Sequence, residues 1–383
     1  MGSSTDPDAT RARPALLRIF AAFAVASALP ACAGGEDEQS PETPAQLAAL
    51  LIRPGPPPDF NPPQFHLLTL SEDGSGERIV FRAPSSVDTP LLRISDPSWS
   101  PDARWIYFTG VVEERRTPRL TYHLTDVFAI RPDGSGFRRL TESGDASTPV
   151  PSPDGETLLF TRSEHPERLP FTSGLWLMAA DGTGQRRLLE VSEGAFDHPG
   201  SWSPDGEAIV FTRCRWGLPR PDGTVPNACS AQAVSRTGSE LTELAERART
   251  PVYSPDGERI AFVTDVDENG LHATGSDENA FANELYVMDS DGGDRERLTE
   301  TGELDEGSPS WSPDGERIAY SREGPARFTE QLMIVAADGA CPARIAGNAA
   351  VFDARRSRDY TQPAWRPRPV TAGHPQLECE EDD

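Results

Sequence analysis

The sequence predicts an all-β fold: a β-propeller of six four-stranded antiparallel blades, its ring closed by pairing of N- and C-terminal strands. Three observations predict it. An aromatic residue followed by a Ser-Pro-Asp turn and a β-rich run recurs: "SWSPDARWIYFTG" from Ser98, "SWSPDGEAIVFTR" from Ser201, "VYSPDGERIAFVT" from Val252 and "SWSPDGERIAYSR" from Ser310, with "VPSPDGETLLFTR" from Val150 as a variant. Between these lies a second hairpin signal, Asp-Gly between two β-rich runs, as in "ELYVMDSDGGDRERLT" from Glu284. Registered on the aromatic, the units fall at Trp99, Pro151, Trp202, Tyr253, Trp311 and Trp365, at intervals of 51 to 58 residues. That length holds four short strands, a to d, which is one propeller blade.

The chain opens with a targeting segment, residues 1–32. Arg11, Arg13 and Arg18 form a positive n-region, and Ile19 to Leu29 an apolar stretch too short to span a bilayer. It ends in "LPAC", which resembles a bacterial lipobox and marks Cys32 for lipidation. Residues 33–63 are acidic, then Pro-rich, as a tether is. Inside them "PAQLAALLIR" reads as a short helix, with Thr43 as cap and Pro44 at its first position.

The repeats occupy 64–367. In the first half of each, Pro presets φ for a type I turn that Asp and Gly complete. The second half recurs from Asp126, Gly174, Gln331 and Phe65, and degenerately in "CSAQAVSRTGSELTEL" from Cys229. Five units are complete. The sixth takes strands c and d from Phe65 to Phe81 and strand a from "QPAW" near Trp365, which removes an open sheet edge. Residues 368–383 form an acidic tail.

These repeats resemble those of TolB-like β-propellers over roughly Gln64 to Pro367. The resemblance implies the propeller fold and a place in the bacterial envelope. The chain departs from the pattern at Pro151 and Tyr253, where the aromatic position loses its Trp, and in carrying only a linker where TolB has an N-terminal domain.

Composition narrows the function. The 383 residues carry 36 basic side chains, all Arg, against 61 acidic ones, a net charge of −25. Nucleic acids and anionic membrane surfaces need a basic footprint, so neither is an expected partner. Export makes the remaining four cysteines readable as disulfides. Cys214 ends a b strand and Cys229 opens the next c strand, so the two meet across one hairpin. Cys341, in the last c–d turn, would then pair with Cys379 of the tail, although four cysteines allow three connectivities.

Because strands alternate direction, the b–c and d–a connections share one face. It carries the long loops 110–122, 163–173, 214–227 and 265–283, and function concentrates on such loops. His123, His165, Asp197, His198, Arg249 and His272 fall on or beside this face. "DVDENG" offers Asp265, Asp267 and Asn269 at the spacing of a calcium loop, although Ser276 stands where a Glu is wanted. Asp289, Asp291 and Asp294 are better explained by the hairpin turn. No HxH or HExxH spacing occurs, and no G-x-S-x-G elbow accompanies a separate catalytic domain.

The expectation is therefore a monomeric, lipid-anchored envelope scaffold, without a cofactor except possible calcium. It would bind a protein or peptide through its long-loop face and channel mouth, as a scaffold and not an enzyme, at the outer membrane. The alternative is a metal-dependent polysaccharide lyase or hydrolase at the channel mouth. The anchor is tested first: mass spectrometry of the mature N-terminus is expected to show an acylated Cys32, and Cys32→Ser is expected to release the protein from membranes. An unmodified N-terminal residue would remove the tether.

Overall fold

The computed structural model describes residues 46–53, 64–71, 73–83, 91–116, 121–164, 172–190, 194–216, 227–267, 282–302, 304–323, 330–345 and 363–366. Every regular element among them is a strand. β1 (Gln46–Arg53), β2 (Gln64–Ser71) and β3 (Arg78–Ala83) pair in that order. β4 (Arg93–Trp99), β5 (Ile106–Arg116), β6 (Thr121–Ile130) and β7 (Arg138–Arg139) make the next sheet. An eight-stranded sheet follows. Its halves are β8 (Ala146–Pro151), β9 (Thr157–Glu164), β10 (Thr172–Ala179) and β11 (Arg186–Arg187), then β12 (Ala195–Trp202), β13 (Ala208–Trp216), β14 (Asn227–Ser235) and β15 (Thr242–Glu246). One parallel pair, Ser173 with Phe196, joins the halves. β16 (Ala248–Tyr253), β17 (Arg259–Thr264), β18 (Glu284–Asp289) and β19 (Glu296–Arg297) form another sheet, and β20 (Glu306–Trp311), β21 (Arg317–Glu323), β22 (Glu330–Ala336) and β23 (Ala343–Arg344) the next. β24 (Ala364–Trp365) pairs with β1 through Leu47–Trp365 and Ala48–Ala364. The architecture is an all-β propeller.

The Ser-Pro-Asp turns form as their chemistry dictates. Ser203 Oγ donates to Asp205 Oδ1 at 2.6 Å, Asp205 Oδ1 accepts the Glu207 amide at 3.0 Å, and Ser203 Oγ accepts the Ala208 amide at 2.8 Å. Gly206 closes the turn at φ 74°, a left-handed conformation that costs Gly nothing. The hydroxyl bond holds the carboxyls of Asp154, Asp205 and Asp256 below the usual carboxylate range. In the first copy Ala103 takes the glycine position at φ 56°.

The strands leading into these turns lie innermost. β4 packs on β8, β8 on β12, β12 on β16 and β16 on β20, while β24 touches both β20 and β4. Their tryptophans tie neighbours together. Trp202 Nε1 donates to Val150 O at 3.2 Å, Trp311 to Val252 O at 3.2 Å, Trp365 to Ser310 O at 3.0 Å and Trp99 to Ala364 O at 3.1 Å. The two departures from the aromatic pattern use serine instead. Ser98 Oγ donates to Pro149 O at 2.6 Å, and the Tyr253 amide donates to Ser201 Oγ at 2.7 Å.

Apolar side chains fill the spaces between successive sheets. Leu159, Leu175 and Leu177 face Trp202, Ile209 and Phe211, and Ala261, Val263 and Leu285 face Ile318, Tyr320 and Met333. Leu47, Leu68 and Leu70 meet Ile334 and Ile345, while Leu67 and Phe65 meet Phe108 and Phe128. Both faces of a sheet are thus covered, and its middle strands read as continuous apolar runs, as "RIAFVT" and "ELYVMD" do.

The structure corrects one expectation. "PAQLAALLIR" is not a helix: Gln46–Arg53 is β1, paired with β2 along its length and with β24 on its other edge. The Pro-rich linker of 33–63 therefore does not run unbroken to residue 63. Ala and Leu favour a helix, but eight residues are too few for that preference to hold one without tertiary packing. As a strand they satisfy two sheet edges and bury Leu47, Ala48, Ala49 and Leu50.

Gly200 sits where two inner strands approach most closely. A Cβ there would lie 2.0 Å from Pro251 O and 2.8 Å from Val210 O, both backbone atoms that no rotamer change can move. Gly200→Ala is expected to destabilise the protein by about 1–3 kcal/mol or more, read from its urea midpoint.

Candidate functional site

Five inner strands have a proline two residues before the aromatic position, where β12 has Gly200 just after Pro199, and four of them turn sharply just before it. Asp96 (φ 53°), Thr148 (54°), Thr250 (48°) and Ser308 (52°) precede Pro97, Pro149, Pro251 and Pro309 in the left-handed region. A bulge interrupts the pairing at each of these points. Such conformations cost on the order of 1–3 kcal/mol per residue and persist only where the surroundings impose them. The preceding sheet does so at two of them. The Thr148 amide donates to Thr109 Oγ1 and the Thr250 amide to Thr212 Oγ1, each at 2.8 Å.

The bulges line an axial cavity of about 370 Å³ that runs down to Pro204 and Pro255 of the Ser-Pro-Asp turns. Its wall combines prolines and small hydroxyls with Val150, Trp202, Val252, Tyr253 and Trp311, and Asp96 is its acidic member. Thr250 Oγ1 and Ser308 Oγ are buried there without a hydrogen-bond partner among the described residues. The cavity thus presents two unsatisfied hydroxyls.

The residues expected on the long-loop face do not converge. Asp197 and His198 are neighbours on β12 and point opposite ways. Asp197 is fully buried and takes both arms of Arg213, Nε at 2.7 Å and Nη2 at 2.8 Å. Burial pushes its carboxyl up against the pull of Arg213, and the bond to Asp197 raises Arg213 in turn. It is a structural ion pair. His198 keeps an exposed edge and packs against Phe196 with ring centroids 5.7 Å apart. The protein around it, and then the charge of Arg249, lower its pKa and keep the imidazole neutral. Arg93 donates to His123 Nε2 at 2.9 Å, and His123 Nδ1 faces Glu114 at 3.9 Å. His165, His272 and Asn269 lie outside the described residues, as do Cys32, Cys379 and Ser276.

The calcium-type loop turns its carboxylates toward arginines. Asp265 Oδ1 accepts Arg247 Nε at 2.8 Å, and Asp267 lies 3.5 Å from Arg297. A cation entering there would displace two guanidinium contacts. Among the described residues no three His, Cys, Asp or Glu side chains are grouped to hold a metal. Cys214 and Cys229 are a directly opposed pair on β13 and β14 and form a disulfide, with Cα atoms 4.0 Å apart. Cys341 is itself disulfide-bonded.

Three features escaped the sequence reading: the hydroxyls of Thr250 and Ser308, and the buried carboxyl of Glu306. The signal was available in the repeats. Aligned on the aromatic position, the hydroxyls stand three residues before it, and Glu306 stands five before it, where β12 has the buried Asp197 and the other described inner strands have Ile94, Ala146 and Ala248.

Residues 143–368 match the TolB beta propeller domain family, more than half of the chain. An uncharacterized protein of Agrobacterium fabrum is 32% identical over 141 residues, covering 34% of this chain and 44% of that protein. The Tol-Pal system protein TolB of Anaeromyxobacter dehalogenans is 30% identical over 138 residues, covering 36% of this chain and 26% of its own length. The chain thus spans less than half the length of these curated relatives. A solved Agrobacterium tumefaciens structure described as a candidate TolB aligns with a TM-score of 0.52 at 16% identity, covering 84% of this chain and 92% of that one. This last likeness is one of fold.

The Asp197–Arg213 pair yields a stability test. Arg213→Met leaves a buried carboxylate uncompensated and is expected to cost about 3–5 kcal/mol in urea denaturation. Replacing both partners by apolar residues of similar volume is expected to recover most of that loss.

Proposed function

We propose that this chain, which belongs to the TolB beta propeller domain family, is a non-catalytic scaffold of the bacterial envelope that binds a protein or peptide at its axial channel and long-loop face. In this reading it is a closed ring of six blades, tethered through a lipidated Cys32. Three observations support the ring: β24 completes the sheet of β1, β2 and β3, it touches both β20 and β4, and that sheet shares apolar cores with the sheets on either side. The names of the TolB relatives support the envelope location.

One observation carries the binding role. Thr250 Oγ1 and Ser308 Oγ line the axial cavity and have no hydrogen-bond partner among the described residues. A buried hydroxyl without a partner is costly, and an extended peptide backbone brings both donors and acceptors that would satisfy it. His198 and Arg249, nearer the long-loop end of the same strands, would meet the flanking part of such a partner. The side chains that a metal-dependent lyase or hydrolase would draw on are engaged elsewhere, Asp197 by Arg213 and His123 by Arg93. No cofactor enters this reading. A calcium ion at Asp265, Asp267 and Asn269 would be an accessory, established by a melting temperature that rises in millimolar calcium.

The test is capture of an envelope protein or peptide by the form lacking residues 1–32, followed by titration. Thr250→Val and Ser308→Ala are expected to weaken binding by about 1–2 kcal/mol each, roughly five- to thirtyfold. The free protein is expected to stay as stable or gain slightly, because an unsatisfied buried hydroxyl has been removed. Equal affinity for both variants would place the partner away from the cavity. Stoichiometric metal held by histidine in the purified protein would favour the lyase or hydrolase instead.

A further inference from the structure

The repeats act as controls on one another. Five residues before the aromatic position the chain places Ile94, Ala146 and Ala248, but a carboxyl in two strands: Asp197 in β12, opposite Arg213 and bonded to it, and Glu306 in β20, opposite Arg322. Glu306 is 1% exposed. The fold does not require a carboxyl at this position, and burying one is unfavourable unless it is paired or neutral.

Its neighbour Glu284, at the start of β18, already has a complete set of donors. Oε1 accepts the Thr301 amide at 2.9 Å, the Gly302 amide at 3.1 Å and Arg297 Nη2 at 3.1 Å, and Oε2 accepts the Thr299 hydroxyl at 3.0 Å. The same cradle recurs at Asp126, which takes the Thr141 hydroxyl at 2.7 Å, the Gly144 amide at 3.1 Å and Arg139. There the next inner strand supplies Ala146 and no second carboxyl. Glu306 is the addition.

Counting protons around Thr299 decides its state. The Leu285 amide is shared between Glu306 Oε2 and Thr299 Oγ1, each at 2.9 Å, and Glu306 Oε2 is in hydrogen-bond contact with Thr299 Oγ1. Thr299 has a single hydroxyl proton and faces an oxygen of each glutamate. The Thr301 hydroxyl has Leu304 O as its acceptor at 3.1 Å. With both carboxyls ionised, one would face a lone pair of Thr299. With Glu306 protonated the chain closes: Glu306 O–H donates to Thr299 Oγ1, and Thr299 O–H donates to the Glu284 carboxylate.

We propose that Glu306 and Glu284 form an acid–carboxylate joint through Thr299, which holds β20 against β18 only while Glu306 keeps its proton. Loss of that proton to solvent puts two negative charges around one hydroxyl and loosens the connection that runs from Thr299 to Asp305. The charged groups facing the joint are Glu284 on β18, Arg297 on β19 and Arg322 on β21, which lies opposite Glu306 in register. Beyond them lie Asp267, which faces Arg297, and Asp305, whose Oδ1 accepts from Asn283. Burial, then the charge of Glu284, push Glu306 up to about 8, and burial raises Glu284 as well.

The sign follows from linkage. A carboxyl whose pKa is raised by folding gives stability that is complete below its ordinary range near 4.5. That stability declines as pH rises and is spent once pH passes about 8. The test compares urea midpoints of the full chain and of Glu306→Gln between pH 5 and 9, alongside carboxyl carbon NMR of Glu306. The wild-type midpoint is expected to fall across this window by one proton more than that of Glu306→Gln, and the Glu306 resonance to titrate near 8. Glu306→Ala, the residue of the Ala146 and Ala248 repeats, replaces Gln if that variant does not fold. A Glu306 resonance that titrates near 4.5, or a pH slope unchanged in the folded variant, would overturn the joint.

Discussion

The rest of this structure depends on contact between successive inner strands. No four-stranded set here could bury either of its faces alone, because both faces are apolar and each finds its partner on a neighbouring set. The indole of one inner strand reaches the carbonyl of the previous one, as Trp202 does to Val150 and Trp311 to Val252. Such a bond contributes only about 1 kcal/mol net, but an unpaired carbonyl at a buried joint would cost more. The substitutes at Pro151 and Tyr253 show what is being kept. When the indole is lost, Ser98 and Ser201 supply a bond across the same joint. The constraint is satisfaction of the joint, and Trp is one means of meeting it.

The same constraint shapes the axis. Inner strands that approach this closely cannot run as regular strands, so they bulge. The bulge falls on a left-handed residue followed by proline, with threonine of the preceding sheet holding the strained amide in two cases. Where the bulge takes another form, at Pro199, glycine follows because backbone oxygens leave no room for a Cβ. The hydroxyls exposed to the cavity are by-products of this geometry. They belong to short polar side chains that tolerate the turn, and those of Thr250 and Ser308 end up buried beside the cavity without a partner among the described residues.

The acidic residues divide into three physical kinds, which a net charge of −25 conceals. Turn aspartates such as Asp205 accept local hydrogen bonds and stay ionised at low cost near water. Asp126, Asp197 and Glu284 are buried and matched with arginine. Glu306 is buried beside another carboxyl and is matched with a proton. Only the first kind is recognisable from local sequence, since Ser-Pro-Asp-Gly contains all the partners that its Asp uses.

The sequence by itself determined the turns and the four-strand unit. Their chemistry is local: Pro, Asp and Gly set φ, and their hydrogen bonds close within six residues. It also paired Cys214 with Cys229, because two hairpin strands in register leave little choice. Tertiary structure decided what depends on a distant surface. "QLAALLIR" is a strand because β2 and β24 offer it two open edges, and no property of Ala or Leu announces that. Asp197 and His198 were legible as two polar neighbours, yet a strand sends adjacent side chains to opposite sides, so one meets Arg213 in the interior and the other stays exposed beside Phe196. The proton on Glu306 is the most remote consequence. It depends on Thr299 and Glu284 arriving from the neighbouring sheet, and a carboxyl's charge is set by the groups around it rather than by its place in the chain.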